Sequence, residues 1–248
     1  MLPARLPTTT WRVRSVARVT VTGSGVTGAA TDEQGVESTG LVSWSAERQP
    51  SGALRATGLV DSFTVRTSFG AQRGAMVPSS TAMVLLEGTL DSTLTRISTR
   101  PPLINECDRP EAGAASLARD LLVRVPNGLV AGDRWKDSFV ALICRSGVPL
   151  TVYTTIVSRL ERLAEDRLVV RRELTSRLEG KGGSAFRALE LAGTAQGSQL
   201  VEIAPLRGTV ERLEGSGTLT LTATERLPGA PVRTQQITQR TELTAVRR

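Results

Sequence analysis

Hydrophobic and polar residues alternate with a period of two along most of this chain. The alternation is clearest from Gly217 to Thr224, where Leu and Ala alternate with Thr. Such a pattern gives a strand one apolar and one polar face, which is typical of half-buried antiparallel sheet. The sequence therefore predicts a mainly β protein with a large curved antiparallel sheet or an open half-barrel.

Similar strand patterns, separated by turns rich in Gly, Ser and Pro, run through both halves of the chain. They are Trp11 to Thr22, Gly35 to Glu47, Gly52 to Ser68, Ala82 to Thr99, Ser138 to Cys144, Pro149 to Leu163, Arg167 to Leu178, Ser184 to Leu191, Gln199 to Ile203, Arg207 to Leu213, Gly217 to Glu225 and Val232 to Val246. Strands longer than about ten residues curve around a core, a helix or a ligand. The last pattern is polar on both faces and predicts a strand at an edge or beside a wet groove.

One segment, Ala112 to Val125, has its Leu and Val residues at helical spacing, and the turn sequence Pro126 to Gly128 follows it. This predicts one main helix between an N-terminal β half, 8–104, and a second half, 105–248, which begins with the helix. We expect the two halves to form one compact domain.

The sequence from Gly40 to Arg55 weakly resembles that from Gly217 to Arg233. Two hairpins of one type would produce some of this similarity by chance, so the pattern leaves open whether the two halves are duplicates.

The net charge of +7 comes almost entirely from arginine, since Lys136 and Lys181 are the only lysines among 31 basic residues. The arginines are spread along the sequence, and aromatic residues, which would stack on bases, make up only 3% of the chain. Nucleic-acid sites concentrate positive charge and present such rings. The sequence therefore predicts no nucleic-acid partner.

Histidine is absent from the sequence. This excludes nucleophile systems that depend on histidine and histidine-ligated metals, and two cysteines are too few for a four-thiolate site. Glu179 to Ser184 resembles a phosphate loop but lacks its leading glycine, and it is typical of a glycine-rich hairpin tip. We predict no metal, no cofactor and no catalytic residue.

Carboxylates are the one remaining catalytic group, because glycoside cleavage needs two of them about 5 to 10 Å apart in a cleft. The candidates are Glu37, Glu47, Asp61, Glu87, Asp91, Glu173, Glu190, Glu202 and Glu211. Solvated structural carboxylates are far more common than catalytic ones. A carboxylate-dependent hydrolase is therefore the third hypothesis for function.

Cys107 lies in a proline-rich connection and Cys144 ends an apolar run. An even cysteine count in such places favours a disulfide between them over two reduced thiols, and with it a periplasmic or secreted location. The start of the chain, Met1 to Pro7, has no apolar stretch typical of a secretion signal, so a cytoplasmic location stays open.

The long strands, the single helical segment, the turn Gly132 to Trp135 and the cysteine pair together resemble bacterial extracytoplasmic carrier proteins of the LolA/LppX type. The resemblance covers the overall pattern of most of the chain and no diagnostic motif. It implies an open half-barrel over an apolar cavity, and a lipid or a lipidated protein as partner.

The apolar positions of two long strands predict a continuous wall, which would line a cavity or form ordinary core. With two tryptophans added, the candidate ligand-binding residues are Val152, Ile156, Leu160, Leu168, Val170, Leu174, Trp135 and Trp44. The leading hypothesis is a noncatalytic carrier of an apolar or amphiphilic ligand, with possible peripheral contact to a membrane. The alternative is a structural or protein-interaction module of the bacterial envelope.

Overall fold

The structure is a computed structural model that describes most of both halves of the chain. The described residues are 5–23, 33–48, 54–70, 72–78, 83–90, 96–99, 120–121, 123, 125–126, 128–145, 148–184, 187–204 and 209–248. Nearly all of them lie in strands, so the prediction of a mainly β protein is confirmed.

Thirteen antiparallel strands form one sheet in the described part of the chain. Their bounds are β1 Arg5–Gly23, β2 Gln34–Arg48, β3 Leu54–Phe69, β4 Gln72–Arg73, β5 Val77–Pro78, β6 Met83–Leu90, β7 Arg96–Thr99, β8 Arg134–Arg145, β9 Val148–Leu163, β10 Leu168–Ser184, β11 Arg187–Ala204, β12 Thr209–Arg226 and β13 Arg233–Arg247. The strand order is β7-β6-β3-β2-β1-β13-β12-β11-β10-β9-β8, and β4 and β5 pair with β3.

The sheet is open, with β7 and β8 at its two edges. It also curls, because Cα atoms of β7 come within 8 Å of Cα atoms of β8 without forming a ladder. The first and last strands pair in the middle of the sheet, where Trp11 lies opposite Arg247. The two halves of the chain therefore share one continuous hydrogen-bonded sheet.

Two local predictions from the sequence need correction. Of the two places predicted for the strand over Val232 to Val246, an edge and a wet groove, the edge is wrong, because β13 lies between β1 and β12 in the centre of the sheet. Hydrogen bonds between strands are formed by backbone groups and do not depend on the side chains. A strand with polar side chains can therefore lie in the centre of a sheet if water reaches part of both of its faces. Glu179 to Ser184 is not the hairpin tip itself but the arm that leads to it, because it forms the end of β10 and pairs with β11 as far as Ser184 opposite Arg187.

Each long strand turns alternate residues towards one face, here called the inner face. One row of directly opposed inner residues crosses six strands and is almost fully buried. It consists of Leu160, Val170, Val201, Leu213, Ala245 and Val13. Their burial removes apolar surface from water, which contributes about 25 cal/mol per Å². This row is the centre of the main core.

The inner face carries two separate core clusters. The first core cluster contains the buried residues Trp11, Val13, Val42, Trp44, Leu121, Leu160, Val170, Val201, Ile203, Val210, Leu213 and Ala245. The second core cluster lies further along β9 to β12 and contains Val148, Leu150, Leu189, Leu191, Leu221 and Ala223. Rows of smaller and more polar residues separate the two clusters.

The helix predicted over Ala112 to Val125 lies mainly outside the described residues. Of its described residues only Asp120 is helical, whereas Leu121, Val123 and Val125 lie in a turn and irregular chain. These three pack on the first core cluster, with Leu121 only 3% exposed and Val125 partly buried. The chain then makes the predicted turn before β8, where the Gly132 N–H donates to the Leu160 carbonyl at 2.7 Å. In the described part of the chain there is no helix long and apolar enough to cross a membrane.

Trp11 ties three strands together, and its replacement gives a first test of the fold. Its Nε1–H reaches over β13 and donates to the Val210 carbonyl of β12 at 2.7 Å. We expect Trp11→Phe to lower the free energy of unfolding by about 1 to 2 kcal/mol, because a buried carbonyl loses its donor. Urea unfolding followed by circular dichroism measures this change.

Trp44 is the matched control, since it belongs to the same cluster and is 2% exposed. Its buried Nε1 has no acceptor among the described residues, so Trp44→Phe removes no hydrogen bond. If Trp11→Phe costs no more than Trp44→Phe, the hydrogen bond does not stabilise the curled sheet.

Candidate functional site

A groove on the inner face separates the two core clusters. Its volume is about 200 Å³, and its apolar walls are formed by Leu174 of β10 and Leu243 of β13. Small residues form its floor, namely Ser176, Ala195, Gly197, Gly215 and Gly217. Because these floor residues have small side chains or none, a ligand in the groove could contact the backbone of β11 and β12.

Small residues are favoured on this floor because the curled sheet brings neighbouring strands close together on its inner side. Gly197 lies directly opposite Gly217. A Cβ atom added to Gly197 would lie 2.9 Å from the Ser216 carbonyl oxygen, and one added to Gly215 would lie 2.9 Å from Gln199 Cγ. Backbone atoms therefore crowd the Cβ position at Gly197, and the Gln199 side chain crowds that at Gly215. The absence of side chains at these two positions leaves the groove open.

A buried arginine lies behind one end of the groove. Arg172 is only 3% exposed, although it lies in the middle of an apolar strand face. Its Nη1 donates to Gln199 Oε1 at 2.7 Å and to the Asp120 carbonyl oxygen at 3.3 Å. Gln199 and Asp120 both line the groove, so Arg172 supports the groove wall from behind.

Burial lowers the pKa of Arg172, because the protein interior solvates its charge less well than water does. The carboxylates of Asp120 and Asp137 oppose this effect and raise its pKa. Arginine keeps its proton in proteins. The groove therefore has a permanent positive charge behind one wall, offset by two nearby carboxylates.

Gln199 lines the groove and is 7% exposed. Arginine can only donate, so its 2.7 Å contact requires the amide oxygen of Gln199 to face Arg172. The amide nitrogen, which donates, has no acceptor in the described part of the chain. This lining residue therefore keeps an N–H donor group that no described residue uses.

The strand register brings most of the predicted ligand-binding residues together on the inner face. Leu160 lies opposite Val170, Ile156 lies opposite Leu174, and Val152 lies opposite Leu178. Leu174 lines the groove itself. Two polar rows interrupt these apolar ones, because Ser158 lies opposite Arg172 and Thr154 lies opposite Ser176. The inner faces of β9 and β10 therefore carry three separate apolar rows and not the continuous wall that was predicted.

The other candidates lie at the first core cluster, beside the groove. Leu160, Val170 and Trp44 are members of that cluster, and Leu168 and Trp135 pack against it. The Trp135 Nε1 atom is buried and finds no acceptor among the described residues. The predicted disulfide cannot be followed further, because Cys107 lies outside the described residues and of Cys144 only the backbone is described.

A larger hollow of about 390 Å³ lies on the outer face of β1 and β13. Two arginines and two glutamates line it, and Arg18 and Glu33 form an ion pair at 3.7 Å within it. Charged walls of this kind do not suit an apolar ligand. We therefore take the smaller inner groove as the candidate site.

Several carboxylates considered for hydrolysis form ion pairs on the surface. Glu37 binds Arg14 at 2.9 Å, Glu202 binds Arg167 at 3.0 Å, and Glu190 binds Lys181 at 3.2 Å. Glu211 binds Arg247. Within the described ranges, no group of three His, Cys, Asp or Glu residues could hold a metal ion.

Comparison of the sequence with protein-family models gave no match, and comparison with curated proteins gave none either. The resemblance to the LolA/LppX type therefore stays a prediction. A function for this chain must be argued from the geometry of its inner face.

Proposed function

We propose that this protein is a noncatalytic carrier or binding protein for an amphiphilic ligand, which places an alkyl chain in the inner groove. One observation carries the proposal. A mainly apolar groove lies between two packed core clusters, and Gln199, which lines it, has an amide N–H group that no described residue accepts from. Binding sites for small molecules commonly combine apolar walls with a few fixed polar groups.

The walls and floor define the apolar part of the ligand. Leu174 and Leu243 offer side chains on either side, and between them Gly197 and Gly217 leave the floor flat. A volume of about 200 Å³ is below the ~300 to 1,000 Å³ of pockets for drug-sized molecules. The groove therefore suits a single alkyl chain better than a bulky ring system.

The Gln199 end defines the polar part of the ligand. Its free N–H donor calls for an acceptor such as a carboxylate or ester oxygen, and the charge of Arg172 lies directly behind it. A ligand without an acceptor would leave a desolvated amide unpaired, which costs about 1 to 3 kcal/mol. A fatty acid or an acyl ester satisfies both ends. The proposal keeps the extracytoplasmic location predicted from the cysteines.

Filling the groove is the direct test. Ala195 is a floor residue on β11, and the residue before it, Thr194, is exposed on the opposite face of the same strand. We expect Ala195→Phe to weaken the binding of a fluorescent long-chain fatty acid about tenfold or more, because at least two methylene groups lose their buried site. Thr194→Phe adds the same ring outside the groove and should bind the probe like the unmodified protein.

The assay is a fluorescence titration of protein purified without detergent, with folding checked by circular dichroism. Absence of saturable binding to the unmodified protein would refute the carrier function. Equal binding by both variants would place the ligand elsewhere on the molecule. Absence of binding would make an envelope interaction module the better hypothesis, whereas equal binding by both variants would refute the groove as the site.

A further inference from the structure

The strand register assembles a row of arginines that are far apart in the sequence. Arg134 of β8 lies opposite Arg159 of β9, which lies opposite Arg171 of β10. All three are exposed on the outer face, and Lys136 follows two residues after Arg134 on that face. Neighbouring strands are about 4.8 Å apart, so the backbone positions of the three arginines lie within about 10 Å along this basic row.

Only one member of the basic row is neutralised within the described structure. Arg171 donates from Nε and Nη2 to the carboxylate of Glu161, and this contact raises the pKa of Arg171. Arg134, Lys136 and Arg159 form no ion pair with any described residue. Glu173 adds one carboxylate on the same face, beside Arg171. Positive charge therefore exceeds negative charge around the row.

This arrangement is unfavourable in the isolated protein, because like charges directly opposite one another destabilise a sheet. An anion bound between Arg134 and Arg159 would relieve the repulsion. Arginine is also well suited to phosphate, since its planar donors can contact two oxygens at once. The basic row is therefore suited to bind a partner that carries phosphate groups.

Exposed apolar side chains continue from the basic row along the same outer face. Val157 lies opposite Lys136, and further along Tyr153 lies opposite Val140. Their exposed fractions are 37%, 43% and 53% for Val157, Tyr153 and Val140. Arg177 lies over the Tyr153 ring, 5.3 Å from its centre. Basic and apolar groups are thus interleaved at the β8 edge of the sheet.

We infer that this outer face of β8, β9 and β10 docks the protein on a membrane surface that contains anionic lipids. The basic row contacts lipid phosphates, and Val157, Tyr153 and Val140 enter the headgroup region. A lipid surface fits better than nucleic acid, because the one aromatic ring of the patch is covered by Arg177. The inference does not depend on the groove, since the two sites lie on opposite faces of the sheet.

Vesicle sedimentation tests the inference. The probes are vesicles of phosphatidylcholine alone and vesicles with about 30% phosphatidylglycerol, at low ionic strength, where such binding is strongest. We expect binding only to the anionic vesicles. The double variant Arg134→Ser/Arg159→Ser should bind them about 30-fold more weakly, because each basic residue near such a surface contributes about fivefold.

Arg226→Ser/Arg233→Ser is the matched control, with the same loss of charge at exposed positions at the facing ends of β12 and β13. It should keep most of the binding. Equal loss in both double variants would show a general charge effect and overturn the inference, as would binding to both vesicle types alike. Tighter binding to a nucleic acid or to an acidic protein, with the same dependence on the basic row, would overturn the inference and assign the surface to that partner.

Ala195→Phe should not alter vesicle binding, which separates this test from that of the groove.

Discussion

Replacing Arg172 by methionine is expected to lower the free energy of unfolding by about 3 kcal/mol or more. Methionine fills part of the space but donates nothing to Gln199 and to the Asp120 carbonyl, which Arg172 contacts at 2.7 and 3.3 Å. The carboxylates of Asp120 and Asp137 also lose the buried positive charge that they face. Urea unfolding of the full chain measures the loss.

Arg171→Met is the control, because it removes the neighbouring arginine from the opposite, solvent-exposed face. Its ion pair with Glu161 is exposed, and exposed pairs add little to stability. We expect little change for this variant. Similar unfolding curves for the two variants would mean that Arg172 does not have the buried, hydrogen-bonded role described for it.

Gly193→Ala is expected to destabilise the protein by about 3 kcal/mol, although it adds a single methyl group. A Cβ atom at Gly193 would lie 2.2 Å from the Thr220 carbonyl oxygen and 2.9 Å from Leu221 Cα. Both atoms belong to the backbone of β12, so no side-chain movement relieves the contact. The strand must shift, which disturbs the second core cluster, where Leu221 is fully buried.

Gly217→Ala offers a graded comparison on the neighbouring strand. Its added Cβ atom would lie 3.2 Å from the Gln196 carbonyl oxygen, which needs a movement of only a few tenths of an ångström. We expect a change within about 1 kcal/mol, since alanine also restricts the unfolded chain. Thermal or urea unfolding compares the two. Equal stability of both variants would contradict the close approach of β11 and β12 at Gly193.

Period-two patterning was enough to predict the fold class, because each long strand buries alternate residues. It could not place β13, since the order of strands depends on partners far away in the sequence. Both faces of β13 are polar, from which the sequence predicted either an edge or a wet groove. In the structure the inner residues of β13 border the groove, where Thr241 and Leu243 line it, and a central strand can therefore stay partly polar.

The apolar inner positions of β9 and β10 were predictable, but the groove beside them was not. The available signal was glycine inside strand patterns, at Gly193, Gly197, Gly215 and Gly217, which marks close backbone approach. Arg172 could also have been noticed, because it follows Leu168 and Val170 on the same strand face. The basic row was invisible in the sequence, because only the strand register brings Arg134, Arg159 and Arg171 together.

The pairing of β1 with β13 also has a consequence for how the chain reaches its fold. Trp11 and Arg247 are neighbours in the sheet although 235 residues lie between them along the chain. Contacts between such distant residues slow folding, because a long loop must close before they form. During synthesis, β1 and β12 each lack one neighbouring strand until β13, which lies between them, has left the ribosome. Until then the nascent protein exposes the unpaired edges of β1 and β12. Such edges can pair with other chains, so this state is prone to aggregation.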